Sequence, residues 1–251
     1  MIADRNRSLQ LHTVVLSCKG GVGKTTTAVG LGSALALLRG ERVVAVDANH
    51  FGTLAGRVHD ASGASLSELA ADADAGRIPD FSSLRGYLGH NGGGLHTVGH
   101  GRSPSTGASE YEAVAGLIEH HADAVLTDCG TDLDRDPVIA AAVARAGRAV
   151  VVADPTEDAL SAAEKTLAWL GEAHAALART ALIALCQRAS RTQRTRAAAQ
   201  RLGAHGGTVV IVPFDRHLQK NGVVDQRRLR RATRSAYTRL AELISPGTAA
   251  S

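Results

Sequence analysis

The sequence predicts an α/β fold in which helices cover both faces of a mostly parallel sheet, and three observations support this prediction. Short β-branched runs alternate along the chain with segments of helical periodicity. Apolar residues make up 44% of the 251 residues but aromatic residues only 3%, so the core must be built mainly from Ala, Val and Leu. Polar side chains also follow the early strands, at the sheet edge where ligands bind in such folds.

Seven runs are predicted to be strands. The first, residues 11–17, ends in glycines and is followed by a helix over residues 25–38. The others are expected at residues 43–46, 95–98, 124–127, 149–153, 182–185 and 209–212. Between them, residues 137–146 and 156–170 have helical periodicity.

Two further segments have a distinct composition. Residues 89–107 are rich in glycine and serine, and we expect a mobile surface loop around the short strand at 95–98. Residues 226–244 are predicted to form the last helix. Its expected apolar stripe consists of Leu229, Ala232, Ala236, Leu240 and Leu243.

The chain is expected to form one domain over residues 11–245, with a flexible tail at 1–10 and a second tail at 246–251, because no long linker divides it. No run of about 18 apolar residues is present, and no apolar leader follows the charged residues near the start. These features argue against membrane-spanning and secreted proteins, and we expect a cytoplasmic location.

Charge is distributed unevenly along the chain. Residues 1–185 carry 15 Lys and Arg against 21 Asp and Glu, whereas residues 186–251 carry 13 against 3. Such a basic block is typical of a surface that meets nucleic acid or anionic lipid. An Arg-rich solvated helix face is an equally good interpretation at this stage.

Residues 18–26, Cys-Lys-Gly-Gly-Val-Gly-Lys-Thr-Thr, join the first strand to the first helix, which is the context of a phosphate-binding loop. Glycines let backbone N–H groups turn towards phosphate oxygens, and the helix that follows adds its positive N-terminal end. Lys24 offers a charge for the β- and γ-phosphates, and the Thr25 hydroxyl is a ligand for Mg²⁺.

The ordinary phosphate-loop pattern requires glycine where this chain has Cys18. The string Lys-Gly-Gly-Val-Gly-Lys-Thr-Thr instead resembles the deviant Walker A motif of the ParA/MinD family of ATPases. The resemblance continues through residues 42–49 and 51–54, through residues 124–128 as the Walker B strand, and to residues 209–215. It implies a single P-loop NTPase domain that spans nearly the whole chain.

The resemblance also implies roles for individual residues. Lys24 would hold the nucleotide of its own subunit, and Lys19 would reach the phosphates of a second subunit, so that ATP lies within a homodimer interface. Thr25 would bind Mg²⁺, with Asp47 and Asp128 holding its water ligands. Backbone amides would also hold the nucleotide, those of Gly20, Gly21, Val22, Gly23, Lys24, Thr25 and Thr26. Pro213 and Asp215 would border the adenine, with Gln187 or Arg188 as further candidates.

Asp47 and Asp128 have a physical reason to be acidic that is independent of the family. Both follow buried strands, and a divalent cation would offset the cost of burying their carboxylates. The alternative is that each simply caps the helix that follows it.

Asn49 stands where the family usually has a second aspartate, which hydrogen-bonds the attacking water. An amide can orient a water molecule, but it has no negative charge and cannot accept a proton. We therefore expect Lys19, Lys24, Asp47 and Asn49 to support slow hydrolysis of ATP and a long-lived ATP state, with turnover promoted by an unidentified activating or cargo protein.

The three cysteines, Cys18, Cys129 and Cys186, lie too far apart in sequence to predict a disulfide framework or a cysteine-based metal site. We expect no structural metal. Cys18 and Cys129 flank the predicted phosphate site, where a thiol could be oxidisable. The preferred interpretation is that both are small side chains that fill tight turns.

Non-specific DNA binding in the ATP state is common among ParA-like proteins, and the basic block is a candidate surface for it. A membrane-binding C-terminal helix of the MinD type is less favoured, because the last helix has no Trp or Phe in its apolar stripe. The alternative function is a weakly hydrolysing scaffold for a secretion or polar-assembly machine. The candidate DNA contacts are Arg188, Arg191, Arg194, Arg196, Arg201, Arg227, Arg228, Arg230, Arg231 and Arg234.

Overall fold

Eight strands form one sheet in the part of the chain that the structure, a computed structural model, describes: residues 11–40, 42–49, 52, 54–61, 63–99, 107–189, 192–220 and 222–245. In chain order the strands are β1 (Leu11–Leu16), β2 (Val43–Ala48), β3 (Gly89–His90), β4 (Leu95–Val98), β5 (Ala124–Cys129), β6 (Arg148–Ala153), β7 (Leu182–Cys186) and β8 (Thr208–Val212). Their spatial order is β3-β4-β2-β5-β1-β6-β7-β8, and neighbours are parallel except for β3 and β4. The predicted mostly parallel sheet is confirmed.

Helices cover both faces of this sheet, as predicted. Because side chains alternate along a strand, Val14 of β1 belongs to one buried cluster and Val15 to the other. Ile118 packs in the first cluster and Leu240 in the second. The helices are α1 (Lys24–Arg39), α2 (Leu66–Asp74), α3 (Phe81–Arg85), α4 (Ala108–His121), α5 (Pro137–Arg145), α6 (Glu157–Ala173), α7 (Ala175–Ala178), α8 (Thr192–Gly203), α9 (Arg216–Gln219) and α10 (Arg231–Ile244).

All seven predicted strands are present, but β2 and β5 each continue two residues further than expected. The predicted strands stopped just before Asp47 and Asp128, whereas in the structure both aspartates are paired residues of the sheet. Asp47 of β2 is the register partner of Asp128 of β5. Strand pairing therefore places the two carboxylates side by side at the carboxyl edge of the sheet.

The prediction of one continuous last helix over residues 226–244 is wrong. A 3-10 helix covers Gln226–Arg228, Arg230 is extended, and α10 begins at Arg231. Asp215 explains this break, because its carboxylate accepts a hydrogen bond from the Arg230 amide at 2.8 Å. Of the predicted stripe, Leu229, Ala236 and Leu240 are buried, but Ala232 is exposed and Leu243 is half-buried. The residues that α10 buries are Thr233, Ala236, Tyr237, Leu240, Ala241 and Ile244.

The glycine-rich segment 89–107 is more ordered at its start than expected. Gly89–His90 forms β3, which pairs antiparallel with β4. The Asn91 side chain closes the connection, since its Oδ1 accepts hydrogen bonds from the amides of Gly93 and Leu95 at 2.8 and 3.3 Å. The rest of the predicted loop, residues 100–106, lies outside the described residues.

The packing of α1 on α10 depends on a glycine. A Cβ added to Gly30 would lie 2.5 Å from Cε2 and Cζ of the buried Tyr237 ring. We predict that Gly30→Ala lowers the free energy of unfolding by about 1–3 kcal/mol, because overpacking forces the two helices apart. Urea unfolding measures this change.

A matched control for that prediction lies in α6. An added Cβ at Gly171 meets nothing within 4 Å. Gly171→Ala should raise the free energy of unfolding by about 0.5–1 kcal/mol, because alanine loses less backbone entropy in a helix. Equal changes in the two variants would contradict the packing argument.

Candidate functional site

The loop between β1 and α1 turns sharply at two glycines. Gly21 has φ +76° and Gly23 has φ +105°, values that L side chains rarely adopt. Gly23 is also the N-cap of α1. At Gly20 and Gly21 an added Cβ would meet nothing within 4 Å. The loop therefore presents backbone and open space at the start of a long helix, which suits an anionic ligand.

Lys24 is the first residue of α1 and is only 8% exposed. Its Nζ donates to the Lys19 carbonyl at 3.3 Å, so the side chain folds back over the loop. Burial lowers the pKa of Lys24, and the Asp128 carboxylate partly opposes this effect. An ammonium held in such surroundings gains strongly from a nearby anion.

Thr25, Asp47 and Asp128 meet beside this lysine. The Thr25 hydroxyl donates to Oδ2 of Asp128 at 2.5 Å, and both aspartates are 1% exposed. Burial raises the pKa of each carboxyl group. Asp128 further raises the pKa of Asp47, whereas the Thr25 hydrogen bond and the Lys24 charge oppose the increase at Asp128. Two buried carboxylates in this arrangement are stabilised by added positive charge.

The segment after β2 wraps around the Asp47 carboxylate. Oδ1 accepts a hydrogen bond from the Asn49 amide at 3.2 Å, and Oδ2 accepts one from the Leu54 amide at 3.1 Å. Gly52 packs so closely that an added Cβ would overlap this carboxylate. Asn49 is held near the same carboxylate through its backbone. Residues 51 and 53, which belong to the family resemblance, lie outside the described residues.

The Lys19 side chain reaches towards α6. Its Nζ lies 3.8 Å from Oδ2 of Asp158, in the first turn of that helix. The Lys19 side chain is 36% exposed, and that of Asp158 is 86% exposed. An ion pair so open to solvent contributes little to stability, so Lys19 is available to a new partner.

A cavity of about 180 Å³ opens on the other side of the loop. Gly21, Val22, Gly23 and Thr26 line it from the loop side, and Pro213 and Asp215 line it from the segment after β8. The Asp215 carboxylate is occupied by backbone amides, those of His217 and Arg230. Asp215 therefore shapes the cavity wall through the fold of its own segment.

Gln187 and Arg188 also line the cavity. Gln187 accepts from the Phe214 amide at 3.2 Å and donates to Thr195 at 3.0 Å, which fixes its side chain. Arg188 donates through Nη1 to the Gly21 carbonyl at 3.2 Å and lies 3.4 Å from Oδ2 of Asp154. Arg188 thus links the loop to the end of β6 and lies at the cavity.

The family match agrees with this geometry. Residues 13–242 match the family described as the CobQ/CobB/MinD/ParA nucleotide binding domain. The chain belongs to this family. The match covers the loop, both aspartates and the cavity, so the resemblance inferred from the sequence motifs is confirmed.

Solved structures of MinD and ParA proteins share this fold. The ParA family ATPase from Chlorobium tepidum TLS has a TM-score of 0.75 and 18% identity, with 92% of this chain and 98% of that chain covered. The septum site-determining protein MinD from Pyrococcus horikoshii OT3, complexed with Mg-ADP, has a TM-score of 0.67 and 21% identity, with 93% and 95% covered. These likenesses establish the P-loop NTPase fold.

A relative of higher identity is the ESX-1 secretion-associated protein EspI from Mycobacterium tuberculosis. It is 28% identical over 226 residues, which cover 85% of this chain but 33% of EspI. This MinD/ParA chain therefore spans about a third of the length of the curated relative that it matches.

The predicted DNA-binding arginines fall into two groups in this MinD/ParA chain. Arg201 forms ion pairs with Glu157 and Glu164 of α6, and Arg188 lies at the cavity. Arg191 lies outside the described residues. The others are exposed on α8 and around the start of α10, and they are Arg194, Arg196, Arg227, Arg228, Arg230, Arg231 and Arg234.

Arg57 and Asp154 are site residues that sequence reasoning missed. Arg57 ends the 3-10 helix Ala55–Arg57, and its positive charge opposes the increase that burial causes in the pKa of Asp128. Its carbonyl accepts from the Val224 amide at 2.9 Å, a contact between distant parts of the chain. Asp154 follows β6 directly, and an acid after a buried strand was a signal that could have revealed it.

The cysteines are thiols without a disulfide. Cys129 is buried, and burial raises its pKa well above the usual range, which argues against a reactive thiolate there. Cys18 donates through Sγ to the Ala162 carbonyl at 3.1 Å, and its amide donates to Thr166 at 3.2 Å. Cys18 therefore packs the phosphate loop against α6, in agreement with the preferred interpretation, whereas Cys129 lies at the end of β5 in the core and not in a tight turn.

A buried polar network supports the strand that ends at Asp128. His12 of β1 lies 2.9 Å from the Thr127 hydroxyl and 2.7 Å from Glu119, and Tyr111 lies 2.7 Å from the same hydroxyl. Burial alone would raise the pKa of Glu119, but hydrogen bonds from His12 and Arg145 outweigh it and lower the pKa to about 2.

This lowered pKa predicts how stability depends on pH. A glutamate in an unfolded chain titrates near pH 4.3, so the stabilising effect of Glu119 is present above about that pH and is lost as pH falls towards 2. We predict that Glu119→Gln lowers the free energy of unfolding by about 1–2 kcal/mol at pH 7 and by less at pH 3. Urea unfolding at both pH values tests this, with the exposed Glu112→Gln on α4 as control. A loss of equal size at both pH values would contradict it.

Two features are absent from the part of the chain that the structure describes. No helix there is both long and apolar enough to cross a membrane. In the same part of the chain, no group of three or more His, Cys, Asp or Glu side chains is arranged to hold a metal ion.

Proposed function

We propose that this chain is an ATP-dependent switch that binds Mg-ATP at the phosphate loop, dimerises around it and hydrolyses it slowly. The observation that carries the proposal is the meeting of buried Lys24 with Thr25, Asp47 and Asp128 at the start of α1. Such a set of charges, costly to bury alone, is compensated when phosphates and a divalent cation bind together.

The residues present fit a magnesium ion. Oδ1 of Asp128 is buried and has no hydrogen-bond partner among the described residues, and the Thr25 hydroxyl lies beside the same carboxylate. Thr25 would bind the ion, with Asp47 and Asp128 holding its water ligands. When bound, Mg²⁺ offsets the negative charge of the phosphates.

The residues around the phosphates would have different roles in binding and hydrolysis. Lys24 and the amides of residues 20–26 hold the triphosphate, and Lys19 offers a second ammonium to the nucleotide of the other subunit. Asn49 would orient the attacking water by hydrogen bonding. Because an amide does not accept the proton, turnover is slow and the ATP-bound dimer persists.

The cavity beside the loop is a candidate site for the base and ribose. Its wall includes Pro213 and Asp215, and its volume of about 180 Å³ exceeds that of a few water molecules. Gln187 lies at the same wall with its amide already fixed by two hydrogen bonds. The preorganised wall supports selection of one base over others.

Dimerisation gives the proposal its test. We predict that Lys19→Ala keeps ATP affinity within about threefold but loses the ATP-dependent dimer, because it removes an inter-subunit contact and, within the chain, a solvent-exposed ion pair with Asp158 that contributes little. Size-exclusion chromatography with light scattering, with ATP or ADP and Mg²⁺, measures the mass. The exposed Lys165→Ala on α6 is the control and should dimerise like the wild type. A wild type that stays monomeric with ATP, or a Lys19→Ala variant that still dimerises, would count against the proposal.

The second part of the proposal concerns the output of the switch, that is, what the ATP-bound dimer binds. Two copies that dimerise would combine their exposed arginines into one surface for DNA phosphates, which steepens affinity and salt dependence. The alternative is a scaffold for a secretion or polar-assembly machine that does not bind DNA, and the 28% identity to EspI favours this alternative.

DNA retention separates the two outputs. A filter assay with a random-sequence duplex, with ATP and with ADP at 50 and 200 mM salt, should show ATP-dependent and salt-sensitive binding if DNA is the target. The triple variant Arg227→Ala, Arg228→Ala, Arg231→Ala should then bind at least tenfold more weakly. Equal, weak retention in all conditions would leave the secretion scaffold as the proposed output.

A further inference from the structure

The two edges of the sheet differ in how they are protected. At one edge, β3 is only two residues long, and a short edge strand offers little to pair with. At the other edge, β8 reads Thr-Val-Val-Ile-Val and contains no charge and no proline. Within the described residues, β8 pairs only with β7. Its outer side therefore lacks the features that usually keep an edge strand from pairing.

The backbone groups that face outward can be assigned. The Val212 carbonyl accepts a hydrogen bond from the Gln187 amide at 2.9 Å, so the backbone of Val212 faces β7. Direction alternates along a strand, and the backbone N–H and C=O groups of Val209 and Ile211 therefore point away from the sheet. The Ile211 side chain is 38% exposed, an unusual value for a large apolar residue in this structure. The outward backbone groups of Val209 and Ile211 and the apolar surface of Ile211 are therefore accessible to an added strand.

Positive charge flanks this edge. Arg201 of α8 is bonded to Glu164 of α6, which identifies the flank of α8 that faces the middle of the sheet. Arg196 precedes Arg201 by five residues, about 140° around the helix, and it is exposed. Arg196 thus lies on the flank of α8 towards the free edge of β8.

The carboxyl end of β8 is basic as well. Asp215, three residues after β8, accepts from the Arg230 amide, which brings the exposed Arg227, Arg228 and Arg231 to this end. Residues 186–251 contain three acidic side chains, Asp215, Asp225 and Glu242, and the first two accept hydrogen bonds from backbone amides. The surroundings of the edge therefore favour a negatively charged partner and disfavour a second copy of the same basic edge.

We propose that β8 is a docking edge for an extended, acidic segment of a partner protein, which adds to the sheet as a ninth strand. Backbone hydrogen bonds to Val209 and Ile211 would give affinity. Apolar side chains on one face of the added strand would cover Ile211, and acidic side chains would meet Arg196 and the arginines at the carboxyl end of β8. The proposal is independent of nucleotide binding and is tested without nucleotide.

The probe is a fluorescein-labelled seven-residue peptide, Val-Glu-Val-Glu-Val-Glu-Val, and the readout is fluorescence anisotropy. A peptide with Lys in place of Glu is the charge control. We expect saturable binding of the acidic peptide and at least tenfold weaker binding of the basic one. Hydrogen exchange should slow at the amides of Val209 and Ile211 at least tenfold when the acidic peptide is bound.

Two variants test the edge itself. Ile211→Pro removes an outward N–H but no hydrogen bond to β7, so the protein should keep its melting temperature within a few degrees. Ile211→Asp keeps the N–H and adds a repelling charge. Each should weaken acidic-peptide binding at least tenfold, whereas Leu37→Ser, at a 65% exposed residue on α1, should not.

The proposal is overturned by any of three results. The acidic peptide does not bind at concentrations up to about 1 mM, or it binds no more tightly than the basic peptide. Binding is unchanged in both Ile211 variants. Sedimentation shows instead that two copies of the chain associate through β8, with loss of the dimer in Ile211→Pro and no peptide binding.

Discussion

Lys24→Met is expected to lower the affinity for ATP about 10- to 100-fold while the protein remains folded. The Lys24 ammonium is buried at the start of α1 and donates to the Lys19 carbonyl within the loop. A charge-assisted hydrogen bond is worth about 1.5–3 kcal/mol, and the ammonium would make at least one such bond to the phosphates. Each 1.4 kcal/mol corresponds to a tenfold change in affinity.

Titration calorimetry with ATP and Mg²⁺ measures this loss. Methionine keeps most of the length and apolar stem of lysine, so the fold should be retained and the melting temperature without nucleotide should not fall. Burial of the Lys24 ammonium costs desolvation free energy, and for this reason its pKa is lowered. Methionine has no charge and removes this cost. Lys165→Met on the exposed side of α6 is the control. Unchanged ATP affinity in Lys24→Met would contradict the assignment of residues 18–26 as the loop that binds the phosphates of ATP.

The comparison with Lys19→Ala makes the two lysines separable. Lys24 is buried and contacts its own loop, whereas the Lys19 side chain is 36% exposed and faces α6. If both act on the nucleotide of the same subunit, both variants should lose affinity. A loss of ATP affinity only in Lys24→Met, together with a Lys19→Ala variant that binds ATP but does not dimerise, would assign one lysine to each subunit's nucleotide.

The strands and the phosphate loop could be predicted from the sequence because their signals are local. A β-branched run followed by Gly20, Gly21 and Gly23 admits few other structures, and the positive φ angles at two of these glycines explain the choice of residue. Asp47 and Asp128 were also predictable, since an acid at the end of a buried strand needs compensation.

The segments that were mispredicted depend on contacts between distant residues. Nothing near residue 230 signals a break in the last helix, because the break is made by the Asp215 carboxylate fifteen residues earlier. Arg57 likewise reaches the site because its segment is bonded to Val224. Periodicity reports local preference, and it has no access to such hydrogen bonds.

The same limit explains the prediction for the arginines. Composition identified the basic block correctly, but composition does not distinguish an arginine paired with acids on another helix from one that is exposed. Arg201 is paired with Glu157 and Glu164, and Arg188 is bonded to Gly21. Arg188 is itself 65% exposed, and only the structure shows that it contacts the phosphate loop and lies at the cavity.

Asn49→Asp should raise the single-turnover rate of ATP hydrolysis about tenfold or more. The Asn49 backbone amide donates to Asp47, and this contact does not depend on the side chain, so the substitution should leave the loop in place. The new carboxylate would accept a hydrogen bond, and then a proton, from the attacking water. A positioned general base contributes typically 10²- to 10⁴-fold, and about tenfold is a lower bound for one introduced without further adjustment.

Rapid mixing of protein with limiting ATP at saturating Mg²⁺ measures the chemical step apart from product release. Saturation matters because a third carboxylate near Asp47 and Asp128 also increases affinity for the cation. Asn49→Ala is the matched variant: it removes water orientation without adding a base, and its rate should fall below that of the wild type. Equal rates in wild type, Asn49→Asp and Asn49→Ala would mean that this side chain does not contact the attacking water, and the slow-switch proposal would lose its basis.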